Sequence, residues 1–489
     1  MIHKNINSNI SLREILKINN INHIYFIGIG GSGMGGLATI LVKLGYKVSG
    51  SDLVSNFITK KLILLNVKIY SKHDGNNLKN VDLVVVSTAI KNDNPELIIA
   101  KKLNIIIISR AQMLAELMRF NYGITITGTH GKTTTTAMIY EIFKSSGLDP
   151  TFVNGGIIKS SGLYADLGLS KYFIAEADES DKSFLKLNPI INIVTNIENE
   201  HLEYYDNNIE ILKSTFLNFL KKIPFYGCII ICIDNKNNFD LFNKYKHILK
   251  CKIITYGFNN NADIKISNYR QKRYQSKFNL LKTKENTNLK IELTIPGLHN
   301  ALNATASFAL SSYIGLKDSN ILKSLKNFGG VKRRLDILGT FILKKKFQGN
   351  VIVIDDYGHH PTEINMTIHT IKNNWPNKNL IMVFQPHKYT RTKNLLEEFV
   401  KTLSNVNLLF LLKVYSAREN YIKNANSKTL YRKIKKLEKT HPILIRSNKY
   451  NDIASEIYLK LTGNDVLVFQ GAGDINNISA FFIKNKLKQ

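Results

Sequence analysis

Cysteine and tryptophan are scarce here: three and one, respectively, among 489 residues. Three thiols cannot build a disulfide framework for a chain of this size, and no Cys/His cluster surrounds Cys228, Cys232 or Cys251 at zinc-ligand spacing. Cys228 and Cys232 lie in GCIIICID, an apolar run that reads as a buried strand, so core packing is their expected role. Long apolar runs are lacking too. Nothing approaches the ~18 residues a membrane helix needs, and the opening MIHKNINSNISLREILKINN holds no apolar segment of signal-peptide length. No membrane insertion and a cytoplasmic location are expected. Acidic residues are outnumbered 37 to 67 by Lys and Arg, for a formal net charge of +30. That balance raises nucleic-acid binding. The lysines, however, are spread through stretches such as KNDNPELIIAKKLNIIII, and no recognition motif accompanies them. A general attraction for anionic ligands, nucleotides included, is expected, and no nucleic-acid partner.

What is present is strand–helix alternation. The length suggests about three domains. HIYFIGIG, YKVSGSD, VDLVVVSTA and NIIIIS are short apolar strands separated by helix-like segments, which implies a parallel sheet with helices on both faces. GITITG opens a second series with YFIAEAD, INIVTNI and GCIIICID, followed by a polar, Asn-rich stretch at 258–290 that reads as a meander with exposed loops. GNVIVIDDYG, NLIMVFQPH, NLLFLLKVY, HPILIRS and DVLVFQGAGD form a third series. The expected fold is α/β in three domains. Residues 1–120 are Rossmann-like, 121–330 form a central P-loop ATPase-like domain on a mixed sheet, and 331–489 are again Rossmann-like.

Two glycine loops follow strands. In GIGGSGMGG, Gly28, Gly30 and Gly33 make G-x-G-x-x-G before a helix, which lets backbone N–H groups approach a diphosphate. Asp52, roughly twenty residues on, stands where an acidic group accepts from a ribose hydroxyl. The plain alternative is a tight turn with close packing. The second loop, GTHGKTTTTAM, has the stronger signature: a strand, Gly128 to Thr133, then a helix. A longer reading begins the loop at Thr125, one residue further from Gly131 than the usual phosphate-loop spacing. Either way Lys132 reaches the β and γ oxygens and the Thr133 hydroxyl holds Mg2+. Two loops need two phosphorylated ligands. With a triphosphate on the second, the first is free to hold a nucleoside-diphosphate substrate instead of a dinucleotide.

EADESD places Glu176, Asp178, Glu179 and Asp181 just past a strand. Beside a triphosphate such carboxylates repel unless a cation intervenes, and hard oxygen ligands suit Mg2+. A solvated acidic loop is the alternative. NIENEHLEYY adds Asn196, Glu198, Glu200 and His201, a possible metal ligand or base. Metals around a γ-phosphate allow an anionic nucleophile such as a carboxylate to attack phosphorus; a hydrolase or kinase uses the same parts.

GIGGSGMGGLA, VSGSD, VVVSTAI, ITGTHGKTTTTAM, EADESD, NIENEHLEYY, GLHNALNATA, GVKRRLD, DDYGHHPTEI, FQPHKYTRT, YSARE and GAGDI occur in that order, across about residues 22 to 475. The series resembles the ATP-dependent amide-forming ligases of peptidoglycan synthesis, in particular the family that joins L-alanine to UDP-N-acetylmuramate. The resemblance implies ATP and Mg2+ as cofactors, an acyl-phosphate intermediate, and a monomer or weak homodimer. It places Gly30, Gly31, Ser32, Gly33 and Met34, with Asp52 and Ser87, at the UDP-sugar. Gly128, Thr129, His130, Gly131, Lys132, Thr133 and Thr134 take ATP, with Asn300 at the adenine edge. Arg334 reaches the phosphates, and Asp356 or its neighbour Asp355 faces the ribose. Thr133, Glu176 and His201 ligate two Mg2+ ions without a modified lysine, Lys213 being a weak candidate for such a lysine. Lys132, His201, Arg334, His359 and Arg391 are the implied catalytic groups. Tyr357 and His360 help hold substrate in a C-terminal domain that binds the amino acid and closes on ATP. Two positions depart from the family pattern: Lys388 replaces an arginine, and Arg418 a glycine. Lys388 cannot reproduce a bidentate guanidinium contact.

Three rivals remain. A ligase for recycled tripeptide typically has a cysteine in the first loop, which is absent here. A dinucleotide oxidoreductase leaves Lys132, Thr133 and EADESD without a role. A nucleic-acid-dependent NTPase rests on charge alone.

Overall fold

HIYFI at His23–Ile27 is buried along its whole length, as a central parallel strand is, and sits in the middle of a five-stranded sheet. Across that sheet the order is Lys68–Tyr70, Lys47–Ser51, His23–Ile27, Leu83–Val86, Ile106–Ser109, with every pair parallel. The computed structural model describes residues 21–343, 349–417 and 419–487, so Arg418 lies outside the described residues. The chain forms two compact units. One comprises Met1–Asn268, Phe278–Glu292 and Ala301–Phe328; the other comprises Tyr269–Lys277, Leu293–Asn300 and Gly329–Gln489.

In the first unit the strand order reverses at His23–Ile27, so the crevice beyond its carboxyl end is where an open parallel sheet binds ligands. The helix Ser32–Lys43 leaves from that end and presents Gly36 to a second, ten-stranded sheet. A Cβ on Gly36 would lie 2.8 Å from Val153, and Leu37, Ala38, Leu41, Val153, Phe173 and Ala175 share one buried core. Small residues there let the helix serve both sheets.

The ten-stranded sheet runs from Thr287–Leu293, Gln275–Lys282 and Ile264–Lys272 through Lys252–Gly257, Cys228–Cys232 and Ile191–Val194. It continues with Tyr122–Thr127, Tyr172–Glu176, Thr151–Val153 and Ala165–Asp166. The central pairs are parallel, and the last pair is antiparallel. Cys228 and Cys232 are buried in its apolar middle. The Asn-rich stretch is more regular than its composition suggests. Its three strands alternate buried and exposed residues, the pattern of a sheet with one solvated face.

The second unit holds a six-stranded sheet in the order Asp336–Leu343, Gly349–Asp356, Asn464–Gln470, Asn379–Phe384, Leu408–Leu411, His441–Leu444. Its first pair is antiparallel and the others parallel. The antiparallel edge strand falls where the sequence shows only a glycine-flanked basic cluster, because side-chain alternation in so short a run is weak. No helix among the described residues is long and apolar enough to cross a membrane.

Candidate active site

The first glycine loop leaves the His23–Ile27 strand with Gly28 at φ +83°. The Gly28 and Ile29 N–H groups both donate to the Ser51 carbonyl, at 2.8 and 3.0 Å. Asp52 is tied to the same loop: its Oδ2 accepts from Gly30 N–H at 2.9 Å and its Oδ1 from Val54 N–H at 3.0 Å. The carboxylate expected at a ribose therefore braces the turn, and a Cβ on Gly30 would come within 2.8 Å of it. Gly31 caps the helix without a side-chain hydrogen bond, Ser32 and Gly33 form its first turn, and Met34 is buried beneath. Ser87, just past the Leu83–Val86 strand, accepts from Ala89 N–H at 3.3 Å. Arg110 has no place in the sequence reading, yet it lies across this loop. A Cβ on Gly33 would stand 3.1 Å from its Cδ and 3.3 Å from Nη1. The available signal was an arginine opening a helix directly after a strand.

Thr125 does not begin the second loop. It is fully buried inside its strand and donates to Asn192 Oδ1 at 2.8 Å, so the loop starts at Gly128. NIENEH and GTHGKT form one structure. Thr129 N–H donates to the Asn196 carbonyl at 2.9 Å and His130 N–H to Asn196 Oδ1 at 2.8 Å. Thr195 Oγ1 donates to the His130 carbonyl at 2.6 Å, and the Thr129 hydroxyl accepts from Glu198 N–H at 2.9 Å. Gly131, at φ +87°, immediately precedes the helix Lys132–Ser145, and Thr133 and Thr134 are buried in its first turn. His130 lies 3.6 Å from Glu198 and 4.0 Å from Glu200, whose other oxygen is 3.7 Å from His201 Nε2. His201 thus reaches the phosphate loop through Glu200. Glu176 accepts from Gly155 N–H at 2.6 Å.

Lys132 meets Glu179 at 2.9 Å. Burial alone would weaken the Lys132 ammonium's hold on its proton, but Glu179, Asp178 and Glu176 override it and raise its pKa. Burial pushes the Glu179 carboxyl up to about 7 against the pull of Lys132. Asp178 moves the other way: burial is outweighed by Lys132, the Ser180 N–H and Arg110, which lower it. Asn300 lies near the start of the helix Leu298–Tyr313, where its side chain donates to the Pro296 carbonyl at 2.7 Å. One turn along the same helix, Asn303 is the residue on the phosphate loop. Its Oδ1 accepts from Thr135 at 3.3 Å, and a Cβ on Gly131 would fall 2.5 Å from it. Lys213 pairs with Glu210 at 2.8 Å along its own helix. The loop with two positive-φ glycines, a lysine and adjacent hard carboxylates fits a nucleoside triphosphate with Mg2+.

In the second unit Arg334, Tyr357, His359 and Arg391 come together. The guanidinium groups of Arg333 and Arg334 lie 5.1 and 5.0 Å from the Tyr357 ring, and Arg334 pairs with Glu363 at 3.2 Å. His359 packs edge-on to Tyr357 and 5.6 Å from the His387 ring, which stacks on Tyr415. Arg391 Nη1 stands 3.4 Å from His387 Nδ1. Arg333, His387 and Tyr415 are additions that the sequence reading does not assign. Asp356 is buried; its Oδ1 accepts from Gly358 N–H at 3.0 Å and its Oδ2 from the hydroxyl of Thr367, on the helix Pro361–Asn374. Asp355 lies 3.5 Å from Arg333. His360 caps the helix Pro361–Asn374, its Nδ1 accepting from Thr362 N–H at 3.3 Å. Lys388 takes φ +70° and donates its N–H to the Tyr415 carbonyl.

Burial, reinforced by His359, Arg391, Lys388 and Arg333, lowers His387 from 6.5 to about 3. The folded state therefore binds fewer protons than the unfolded one, and this contribution to stability is lost as pH falls below the unfolded value. Between about pH 7.5 and pH 5 the chain should lose about 2 kcal/mol more stability than its His387→Gln variant. Denaturant titrations at the two pH values check this; equal losses would refute it.

Three domain descriptions match the chain: "Mur ligase family, catalytic domain" over residues 23–122, "Mur ligase middle domain" over 126–311, and "Mur ligase, glutamate ligase domain" over 333–473. The chain belongs to the Mur ligase family, a family of ATP-dependent amide-forming ligases. It is 52% identical over 487 residues to the UDP-N-acetylmuramate–L-alanine ligase of Buchnera aphidicola subsp. Acyrthosiphon pisum (strain Tuc7), covering 98% of this chain and 99% of that one. The ligase of the same name from Baumannia cicadellinicola subsp. Homalodisca coagulata is 50% identical, covering 96% and 94%. Among solved structures, the UDP-N-acetylmuramate-alanine ligase of Thermotoga maritima superposes with a TM-score of 0.79 at 28% identity, over 94% of this chain and 98% of that one.

Proposed function

We infer that this chain joins L-alanine to the carboxylate of UDP-N-acetylmuramate, with ATP converted to ADP and phosphate, in the synthesis of peptidoglycan precursors. The observation that carries this reading is the presence, in one compact unit, of two separate glycine loops, one backed by Asp52 and the other armed with Lys132. Similarity to L-alanine ligases over nearly the whole length supplies the substrates.

The domains are assigned as residues 1–120, 121–330 and 331–489. The first glycine loop, from Gly30 to Met34, takes the diphosphate of the nucleotide sugar on backbone N–H groups, with Ser87 at the crevice and Asp52 holding the loop's shape. Arg110 adds a cation at Gly33. Gly128 to Thr134 cradle the ATP phosphates, and Lys132 follows the charge that develops as the muramyl carboxylate oxygen bonds to the γ-phosphorus and the bond to ADP breaks. Thr133, Glu176 and His201 are the groups suited to hold Mg2+, which when bound neutralises phosphate charge beside these carboxylates. The alanine amine then bonds to the activated carbonyl, phosphate leaves, and the ammonium proton is given up. In the second unit, Arg391 and His359 are assigned to the amino acid, next to a His387 that stays neutral at pH 7.

Phosphate release from ATP and Mg2+ tests the reading, with UDP-N-acetylmuramate and one donor at a time: L-alanine, glycine, L-serine or recycled tripeptide. Release is expected to need both the nucleotide sugar and L-alanine. Release with tripeptide alone would assign the chain to recycling instead.

A further inference from the structure

Lys132 is the cation of the second loop, and here it is folded back over that loop. Its Nζ donates to both carboxylate oxygens of Glu179, at 3.0 and 2.9 Å, and to the carbonyls of Gly128 at 2.6 Å and Thr129 at 3.3 Å. Glu179 is 2% exposed. Its backbone carbonyl accepts from the buried Tyr205 hydroxyl, and the Tyr205 ring carries the Lys182 ammonium 5.0 Å from its centre. The carboxylate is therefore anchored through its own backbone, and a lysine that swings toward a phosphate leaves it behind.

We propose that Glu179 is a positioning residue, a latch that holds Lys132 over the phosphate loop until the phosphates of ATP displace it. The proposal rests on the assignment of ATP to this loop. Two charge-assisted hydrogen bonds in a desolvated setting are strong and directional, so a nucleotide must exchange them for its own contacts to Lys132. Once Lys132 leaves, Glu179 stays buried next to Asp178 without its cation, so it must either hold an uncompensated charge or take up a proton, and both favour return of the lysine. The latch thus weakens binding of both ATP and ADP and speeds departure of the spent nucleotide. Only ligands whose phosphates reach Lys132 can open it.

The test is calorimetric titration of the full chain with ATP and with ADP. Glu179→Gln keeps the shape and removes the charge. It should tighten both nucleotides about tenfold, the lower end expected for a charged hydrogen bond converted to affinity. The KM for ATP should fall in parallel with the ADP inhibition constant, and UDP-N-acetylmuramate affinity should not move. Glu179→Asp ends one methylene short of Lys132 and should give an intermediate gain of about threefold; it replaces the Gln variant if that one is unstable. In a Lys132→Met background, removing the Glu179 charge should yield a clearly smaller gain. Unchanged or weaker ATP binding by both Glu179 variants would overturn the latch, as would an equal gain without Lys132. Failure of the parent chain to bind ATP would overturn the assignment of the loop instead.

Discussion

Lys132→Ala should lower kcat/KM for ligation by about 10²–10³-fold, the loss expected when one preorganised cation is removed from developing charge, while UDP-N-acetylmuramate still binds with its parental affinity. The expectation follows from the separation of the loops. Lys132 contacts Gly128, Thr129 and Glu179, and its electrostatic partners are Glu179, Asp178 and Glu176. Gly30 instead contacts Asp52 and Asn56. The truncation leaves Glu179 buried without its cation. Burial already raises that carboxyl to about 7, so it can take up a proton instead of unfolding the site. Lys132→Met, which retains the stem, separates lost charge from lost packing. Steady-state kinetics with parallel calorimetry decides the matter: if nucleotide-sugar binding disappears along with ligation, the two loops are not independent.

Gly128→Ala should destabilise the chain by more than about 3 kcal/mol and remove ATP binding. Gly128 sits at φ +120°, where a side chain is strained. A Cβ there would lie 2.2 Å from Thr195 Oγ1 and 2.7 and 2.9 Å from the backbone O and N of Asn196. The neighbours are largely backbone and cannot turn away; Thr195 and Asn196 also hold the Thr129 and His130 peptides. Gly147 is the comparison. Its φ of +82° is also positive, but nothing lies within 4 Å of a Cβ, so alanine there should cost only about 1 kcal/mol. Urea unfolding of both variants measures the difference. Similar losses at the two sites would mean that backbone conformation alone, and not the close approach of the NIENEH segment, makes glycine necessary at 128.

Several features were readable from short segments. The strands His23–Ile27 and Tyr122–Thr127 each run into a glycine turn and then a helix, and such a unit is encoded by adjacent residues. Lys132 and Thr133 directly follow the second turn, so their place on the loop was legible from spacing, and Glu176 closes a short apolar strand. The register of Thr125 could not. A threonine in a buried strand and a threonine in a loop look alike until Asn192, from the neighbouring strand, takes its hydroxyl proton. The partners of Asp52 and Asp356 were equally hidden: Asp52 accepts from Gly30 N–H in the first glycine loop, and Asp356 from the Thr367 hydroxyl on a later helix as well as from Gly358 N–H.

By itself the sequence determined the α/β class, the two glycine loops and the run of carboxylates at 176–181, because each is written in short contiguous segments. The tertiary structure alone decided that Arg110 lies across Gly33, that Asn303 meets Gly131, that His387 stacks on Tyr415 among cations, and that Glu179 holds Lys132. Those partners are brought together by sheet order and helix packing. Contacts between residues far apart in the chain are set by which faces bury together, and no local spacing carries that information.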